Sequence, residues 1–133
     1  MSYEIIWEAR GVLRRYAGVL PLRELVESTR ACQADPRFDV IRYAISDFTD
    51  VERADFVEED LANVAALQFG AYHTNPNIRA ALVIPQPALQ NLLGRYTNAA
   101  LTPYRMRVCE RLEEARAWVE QDGRRLYTRP PRA

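Results

Sequence analysis

The sequence predicts a single α/β domain in which a five-stranded mixed sheet is covered by about four helices. Segments with strand character alternate with segments of helical periodicity in the order β-β-α-β-α-β-α-β-α. One predicted strand, residues 80–84, is apolar throughout, which is typical of a parallel strand covered on both faces. The length of 133 residues is that of one ordinary domain, which can bury a core without disulfides.

The first two strands are predicted to form an antiparallel hairpin. Residues 3–8 and 12–19 are rich in β-branched and aromatic residues, and the turn between them ends at Gly11, which is free to adopt a positive φ. The edge strand of this hairpin makes a homodimer plausible, by sheet-edge or face packing. Four strand aromatics are expected in the core, or else in a pocket or dimer interface: Tyr3, Trp7, Tyr16 and Tyr43.

A helix over residues 21–34 leads to the expected central strand. Pro21 suits the first turn of a helix, and Asp35-Pro36 ends it. Since a helix separates residues 12–19 from the next strand, residues 39–46, the two strands should be parallel neighbours joined by a right-handed crossover. The inner face of the helix is expected to carry Leu22, Leu25, Val26, Thr29 and Cys32.

The second helix follows a polar segment, residues 47–55, which is predicted to be irregular. Asp55 and Glu58 have the spacing of a capping box at the start of the helix. The inner face is predicted to carry Leu61, Val64, Ala65, Gln68, Phe69 and Tyr72.

The remaining elements complete the domain, which is expected to cover residues 1–123. A third helix starts near Pro87, residues 104–109 alternate like a half-buried edge strand, and the last helix is predicted to end at Gly123. Residues 124–133 are predicted to be a tail rich in Arg and Pro. The third helix is expected to turn Leu89, Leu92, Leu93 and Tyr96 inward, and the last helix Leu112, Ala115 and Val119.

Composition argues against several functional classes. The 18 basic residues equal the 18 acidic ones, so net charge gives no reason to expect nucleic acid as a partner. No apolar run approaches the roughly 18 residues of a membrane span, and the first residues lack a signal sequence, so a cytoplasmic bacterial protein is expected. Cys32 and Cys109 have the spacing of neither a zinc site nor a disulfide framework, and no cofactor is implied.

The element order, together with six short segments, resembles a known group of proteins. The chain is similar, over roughly residues 3 to 120, to the STAS or SpoIIAA-like fold, which comprises the anti-sigma-factor antagonists and CRAL-TRIO-like proteins. Within that group it most resembles small uncharacterised bacterial proteins. The segments that carry the resemblance are residues 11–18, 35–39, 42–43, 46–51, 75–78 and 112–118.

This resemblance implies a possible phosphorylation site. Signalling members carry a phosphorylatable Ser just after the central strand, and the matching hydroxyls here are Ser46 and Thr49. The family's Ser-Gly pair is absent, and the loop is longer. A phosphate would also meet repulsion from the neighbouring carboxylates of Asp47, Asp50 and Glu52.

Ligands of open parallel sheets collect beyond the carboxyl ends of the strands, which indicates where a site should lie. Asp47 and Asp50 could act as an acid/base pair or bind a divalent cation, but a turn-forming Asp47 and a solvated Asp50 are the favoured interpretation. The candidate residues for contacting a ligand or partner are Ser46, Asp47, Thr49, Asp50, Gln86 and Glu110.

No catalytic motif is recognisable. His73, the single histidine, is expected at the carboxyl end of the second helix, where it complements the helix dipole. Residues 47–60 carry seven acids against one Arg, which suits docking of a basic partner or of a neighbouring subunit's Arg-rich tail.

Three functions therefore remain open, of which an enzyme that uses Asp47, Asp50 and His73 is the least favoured. The preferred hypothesis is a non-enzymatic regulatory module that binds a protein, which can be a second copy of itself. The alternative is a small-molecule or lipid carrier, which requires an apolar pocket of roughly 300 Å³ or more.

Overall fold

The structure is a computed structural model that describes residues 3–95 and 102–128, with side chains up to residue 121. The observed order of elements is the predicted one. Two short 3-10 helices, Pro36–Asp39 and Glu58–Asp60, precede the third strand and the second helix. The elements are β1 (Tyr3–Trp7), β2 (Gly11–Pro21), α1 (Leu22–Ala34), β3 (Tyr43–Asp55), α2 (Leu61–Thr74), β4 (Arg79–Val83), α3 (Pro87–Gly94), β5 (Arg105–Cys109) and α4 (Leu112–Thr128).

The five strands form one mixed sheet in the order β1-β2-β3-β4-β5. β1 and β2 form the predicted antiparallel hairpin, and the other neighbouring pairs are parallel. The structure therefore confirms β3 as the central strand and β5 as an edge strand. Each parallel connection contains a helix, as a crossover between parallel strands requires.

The two faces of the sheet are covered unequally. α1, α2 and α3 pack on one face around Tyr16, Phe48 and Leu82. α4 covers the other face, where Ala115 and Val119 contact Ile45 and its neighbours. Because β3 is covered on both sides, its residues alternate between these two cores.

β2 and β3 pair far beyond the rest of the sheet. β4 pairs with β3 only from Tyr43 to Asp47, whereas the pairing of β3 with β2 continues until Asp55 lies opposite Pro21. We call the part of this pair after Asp47 the ribbon. The prediction of an irregular segment over residues 47–55 was wrong, because pairing with β2 and burial of Phe48 and Val51 hold the backbone extended.

The start of the central strand was also predicted wrongly. Residues 39–46 were expected to form it, but residues up to Asp39 belong to a 3-10 helix and the strand begins at Tyr43. The side chain of Asp35 caps that helix by accepting a hydrogen bond from the backbone N–H of Arg37 at 2.9 Å.

Three further local predictions are corrected by the structure. Gly11 does not have a positive φ, since Gly18 is the described residue that does. Asp55 does not cap α2 because it belongs to β3, and it is Asp60 that accepts a hydrogen bond from the backbone N–H of Val57. α4 continues past Gly123 to Thr128, since a glycine inside a helix weakens it without ending it.

The inner face of α2 differs from the prediction. Phe69 and Tyr72 are 44% and 38% exposed, whereas Ala71 is buried. Because the apolar residues of α2 are distributed around its whole circumference, the spacing of these residues did not define which face packs on the sheet. Of the predicted tail, residues 124–128 belong to α4 instead, whereas residues 129–133 and the predicted inward Tyr96 lie outside the described residues.

Candidate functional site

A β-bulge lies where β3 leaves the body of the sheet. Asp47 lies opposite Arg15 and Asp50 lies opposite Ala17, so Tyr16 alone faces two residues of β3. These two residues are Phe48, which is buried against the ring of Tyr16, and Thr49, which is exposed. The bulge thus presents Thr49 and Asp50 consecutively to solvent, as bulges near functional sites often do.

Asp47 holds the bulge in shape. Its Oδ1 accepts hydrogen bonds from the backbone N–H of Thr49 at 3.0 Å and from the hydroxyl of Thr49. Its Oδ2 lies 3.8 Å from Nε of Arg15. Asp47 is 8% exposed, and these contacts agree with the turn-forming role favoured by the sequence.

Gln86 braces the other edge of the bulge, where β4 no longer pairs with β3. Its Nε2 lies 2.8 Å from the carbonyl oxygen of Phe48, 3.2 Å from that of Thr49 and 2.7 Å from that of Val51. The amide thereby satisfies acceptors that a neighbouring strand would otherwise satisfy. Gln86 is thus committed to the backbone of β3.

Four of the six candidate residues come together around an open depression of about 490 Å³ at the start of α4. They are Asp47, Thr49, Asp50 and Glu110. The remaining lining residues were not identified from the sequence: Arg15, Arg111, Leu112 and Glu113. We call this feature the depression.

The residues missed by the sequence come from two elements. Arg15 is brought beside Asp47 by the register of β2 on β3, which the sequence alone does not specify. Arg111 and Glu113 arrive with the first turn of α4, where the Glu114 carboxylate accepts the backbone N–H of Glu110 and of Arg111, each at 3.1 Å. Arg14 and Arg15 are adjacent in β2 and so lie on opposite faces of the sheet, and no pattern in the sequence assigns Arg15 to the face of Asp47.

Ser46 lies on the opposite face of the sheet from the depression. It is 3% exposed, and its Oγ accepts a hydrogen bond from Arg14 at 2.8 Å. Arg14 also donates to the hydroxyl of Thr29 at 3.1 Å. Ser46 therefore belongs to an internal polar cluster between the sheet and α1.

This cluster lines a cavity of about 40 Å³, enclosed by the sheet and by α1, α2 and α3. The cavity has room for only a few water molecules. Cys32 also lines it, and burial raises the pKa of the Cys32 thiol, so the thiol is protonated at neutral pH. Cys32 therefore lacks the thiolate character of a nucleophile.

The depression lacks a histidine. His73 is exposed in the last turn of α2 and does not line the depression, so the structure does not unite it with Asp47 or Asp50. Within residues 3–95 and 102–121, no group of three or more His, Cys, Asp and Glu side chains is arranged to hold a metal ion.

None of the helices in the described part of the chain is long and apolar enough to cross a bilayer.

Comparison with solved structures identifies the fold. The chain aligns with the anti-sigma factor antagonist SpoIIAA in its unphosphorylated form, with a TM-score of 0.60 and 17% identity over 90% of this chain and 98% of the other. It aligns with the Bacillus cell fate determinant SpoIIAA in its phosphorylated form, with a TM-score of 0.55 and 13% identity over 89% and 99% of the two chains.

A third similar structure is an uncharacterized protein of the DUF3478 family from Shewanella loihica PV-4. Its TM-score is 0.56 at 15% identity, over 89% of this chain and 94% of that one, and it too has a SpoIIAA-like fold. No known protein family and no curated protein match the sequence. The comparisons therefore show that this chain has the SpoIIAA-like, or STAS, fold.

Proposed function

We propose that this chain of SpoIIAA-like fold is a cytoplasmic, non-enzymatic regulatory protein that binds a protein partner through the depression. The fold supports the proposal, because the similar SpoIIAA is an anti-sigma factor antagonist. The observation that carries it is the bulge in β3, which holds Thr49 and Asp50 in solvent on a braced backbone. A surface held rigid before binding loses little conformational entropy when a partner docks.

The charges of the depression indicate the chemistry of the partner. Asp47, Asp50, Glu110 and Glu113 contribute four carboxylates, whereas Arg15 and Arg111 contribute two guanidinium groups. A partner surface with exposed Arg or Lys therefore complements it, and the attraction raises the association rate more than it lowers the dissociation rate.

The size of the internal cavity argues against the carrier function. A small-molecule or lipid carrier needs roughly 300 Å³ or more, whereas the cavity between the sheet and α1–α3 measures about 40 Å³. Its walls carry Arg14, Thr29 and Ser46 among apolar side chains, which suits a few ordered water molecules. The protein-binding function is therefore the better supported of the two.

Thr49 is the hydroxyl that we propose for regulatory phosphorylation. It is exposed and borders the depression, whereas Ser46 is buried against Arg14 and out of reach of a kinase. A phosphate on Thr49 would break its hydrogen bond to Asp47 and add negative charge beside Asp47 and Asp50. We expect such a modification to change the binding of a basic partner.

The test is recovery of the tagged chain from its own host, followed by native mass spectrometry. We expect a stoichiometric complex with a protein, weakened at least about tenfold by Asp50→Arg, because charge reversal at the depression replaces attraction by repulsion. Glu27→Arg is the matched control, since Glu27 is an exposed carboxylate on α1, away from the depression.

Other outcomes would reject the proposal. Equal binding by wild type and Asp50→Arg, with both variants folded by circular dichroism, would show that the depression is not the binding site. A non-covalent small molecule that is lost on denaturation, with no protein bound, would establish the carrier function instead.

A further inference from the structure

α2 differs from the other long helices in having no charged residue. Its 14 residues, Leu61–Thr74, contain no Asp, Glu, Lys or Arg, although charged residues make up 27% of the chain. The exposed positions of α1 include Arg23, Glu27 and Arg30, and those of α4 include Glu113 and Glu120. A surface helix in water normally carries such charges opposite its buried face.

Four uncharged residues form a seam along the middle of the exposed face of α2, which also carries Asn63, Gly70, Tyr72 and Thr74. Ala62, Ala66, Phe69 and His73 are all exposed and follow one another at intervals of four, three and four residues. Residues with this spacing lie on one side of a helix, as in the seam of a helix pair. Phe69 leaves 44% of its surface in solvent here.

The seam is complementary to itself. When a second α2 lies antiparallel across a two-fold axis between positions 67 and 68, Ala66 faces Phe69 of the other copy and Ala62 faces His73. Each large side chain thus meets a small one, which is the arrangement that lets two helices pack closely. The spacing is the same in both directions, as a two-fold interface requires.

We infer that the exposed seam of α2 is a homodimer contact, in which two copies of this chain pack α2 against α2 in an antiparallel pair. A seam without charge favours an uncharged partner surface, because burying an unpaired charge against it would be costly. A second α2 satisfies this requirement and matches the seam in size. The inference does not depend on the proposed function, which uses the opposite face of the sheet.

The dimer is expected to be weak. A helix of 14 residues is about 21 Å long, and one such pair buries less than the roughly 1,200 Å² of a standard interface. We expect a dissociation constant on the order of 100 μM. Association should therefore be visible at high protein concentration and absent in dilute samples.

The test is sedimentation equilibrium of the full chain between about 5 μM and 1 mM, a range set by the expected affinity. Ala66→Arg should weaken the dimer at least about tenfold, because its long side chain replaces the small residue that lets the two helices approach each other closely. Ala117→Arg is the matched control, since Ala117 is an exposed alanine of α4. It should dimerise like the wild type, and circular dichroism checks that both variants are folded.

A mixing experiment tests the register. Phe69→Glu should also be monomeric alone, yet an equimolar mixture with Ala66→Arg should form a heterodimer, since the antiparallel pair brings the introduced charges together. A wild type that stays monomeric at 1 mM, a dimer that Ala66→Arg leaves unchanged, or a mixture without heterodimer would each overturn the inference.

Discussion

Tyr43 and Gly11 form a contact that decides which residue can occupy position 11. They lie opposite each other in the β2–β3 pair, and a Cβ on Gly11 would overlap the ring of Tyr43. The ring cannot move aside freely, because its hydroxyl donates a hydrogen bond to Glu8. The glycine therefore serves close packing, whereas the sequence had indicated a turn with positive φ.

We expect Gly11→Ala to lower the free energy of unfolding by about 1–3 kcal/mol, the usual cost of an added methyl in a packed site. Urea denaturation measures the change. In a Tyr43→Ala background the same substitution should cost less than about 1 kcal/mol, since the overlapping ring is gone. An equal cost in both backgrounds would show that the overlap with Tyr43 is not the cause.

At the scale of elements, the ribbon depends on backbone geometry that only Gly18 supplies easily. Gly18 has a φ of 71°, beside the second register break of the β2–β3 pair, and a Cβ there would meet no atom within 4 Å. The requirement for glycine is thus conformational rather than steric.

We expect Gly18→Ala to destabilise the protein by about 1–2 kcal/mol and Gly18→Asn by less, because Asn tolerates the left-handed region better. Gly70→Ala is the control of opposite sign. A Cβ on Gly70 in α2 is also unobstructed, so this change should stabilise the helix by about 0.5–1 kcal/mol. Thermal or urea unfolding of dilute protein gives both values, and equal effects at the two sites would contradict the conformational explanation.

Elements with a strong periodic pattern were predictable from sequence, whereas those fixed by pairing were not. β4 is apolar from Ala80 to Val83, and the apolar positions of α1 recur at helical spacing, so both elements were located to within one residue. The second half of β3 is rich in Asp and Glu, which are uncommon in strands, and only its pairing with β2 keeps it extended. The bulge, and with it the position of Thr49 and Asp50, follows from that pairing.

At the scale of the whole molecule, Glu8 ties the opening hairpin to α4. Its carboxylate accepts two hydrogen bonds from Arg116, at 3.0 and 2.7 Å, and one from the hydroxyl of Tyr43. The bonds from Arg116 hold the pKa of Glu8 below its usual value, while burial raises the pKa of Tyr43 to about 12. Elements more than 100 residues apart in sequence are joined through one side chain.

This contact should make stability depend on pH in a defined direction. A depressed folded-state pKa means that the contribution of Glu8 is present above its usual pKa of 4.5 and is lost as the pH falls through the lower folded value. The raised pKa of Tyr43 means that its contribution is present below pH 10 and is lost as the pH rises through about 12.

We expect Glu8→Gln to lower the free energy of unfolding by about 1–2 kcal/mol at pH 7, the range for a partly exposed charged hydrogen-bond network. Urea unfolding at each pH measures this free energy, and the difference between variant and wild type should shrink towards zero as the pH falls to about 3. Glu120→Gln, at an exposed carboxylate on α4, should change stability little at either pH. A Glu8→Gln difference that is independent of pH would contradict the ionic origin of the effect.

The architecture as a whole followed from the order of elements, because short crossovers and a hairpin leave few ways to arrange five strands. The site did not follow in full. Side chains that are separated in sequence, such as Arg15 and Glu113, meet at the depression only once the register of β2 on β3 and the placement of α4 are known.

The length of the ribbon has a consequence for hydrogen exchange. Up to Asp47, β3 has hydrogen-bonded strands on both sides, so amide protons such as those of Ile45 and Ala81 should exchange only when the whole domain unfolds. Beyond Asp47, β2 is the one described strand that pairs with β3, so local opening of the ribbon releases those amides at a lower free energy. The depression lies at the boundary between these two regimes, and a partner that docks there would slow exchange along the ribbon by holding it closed.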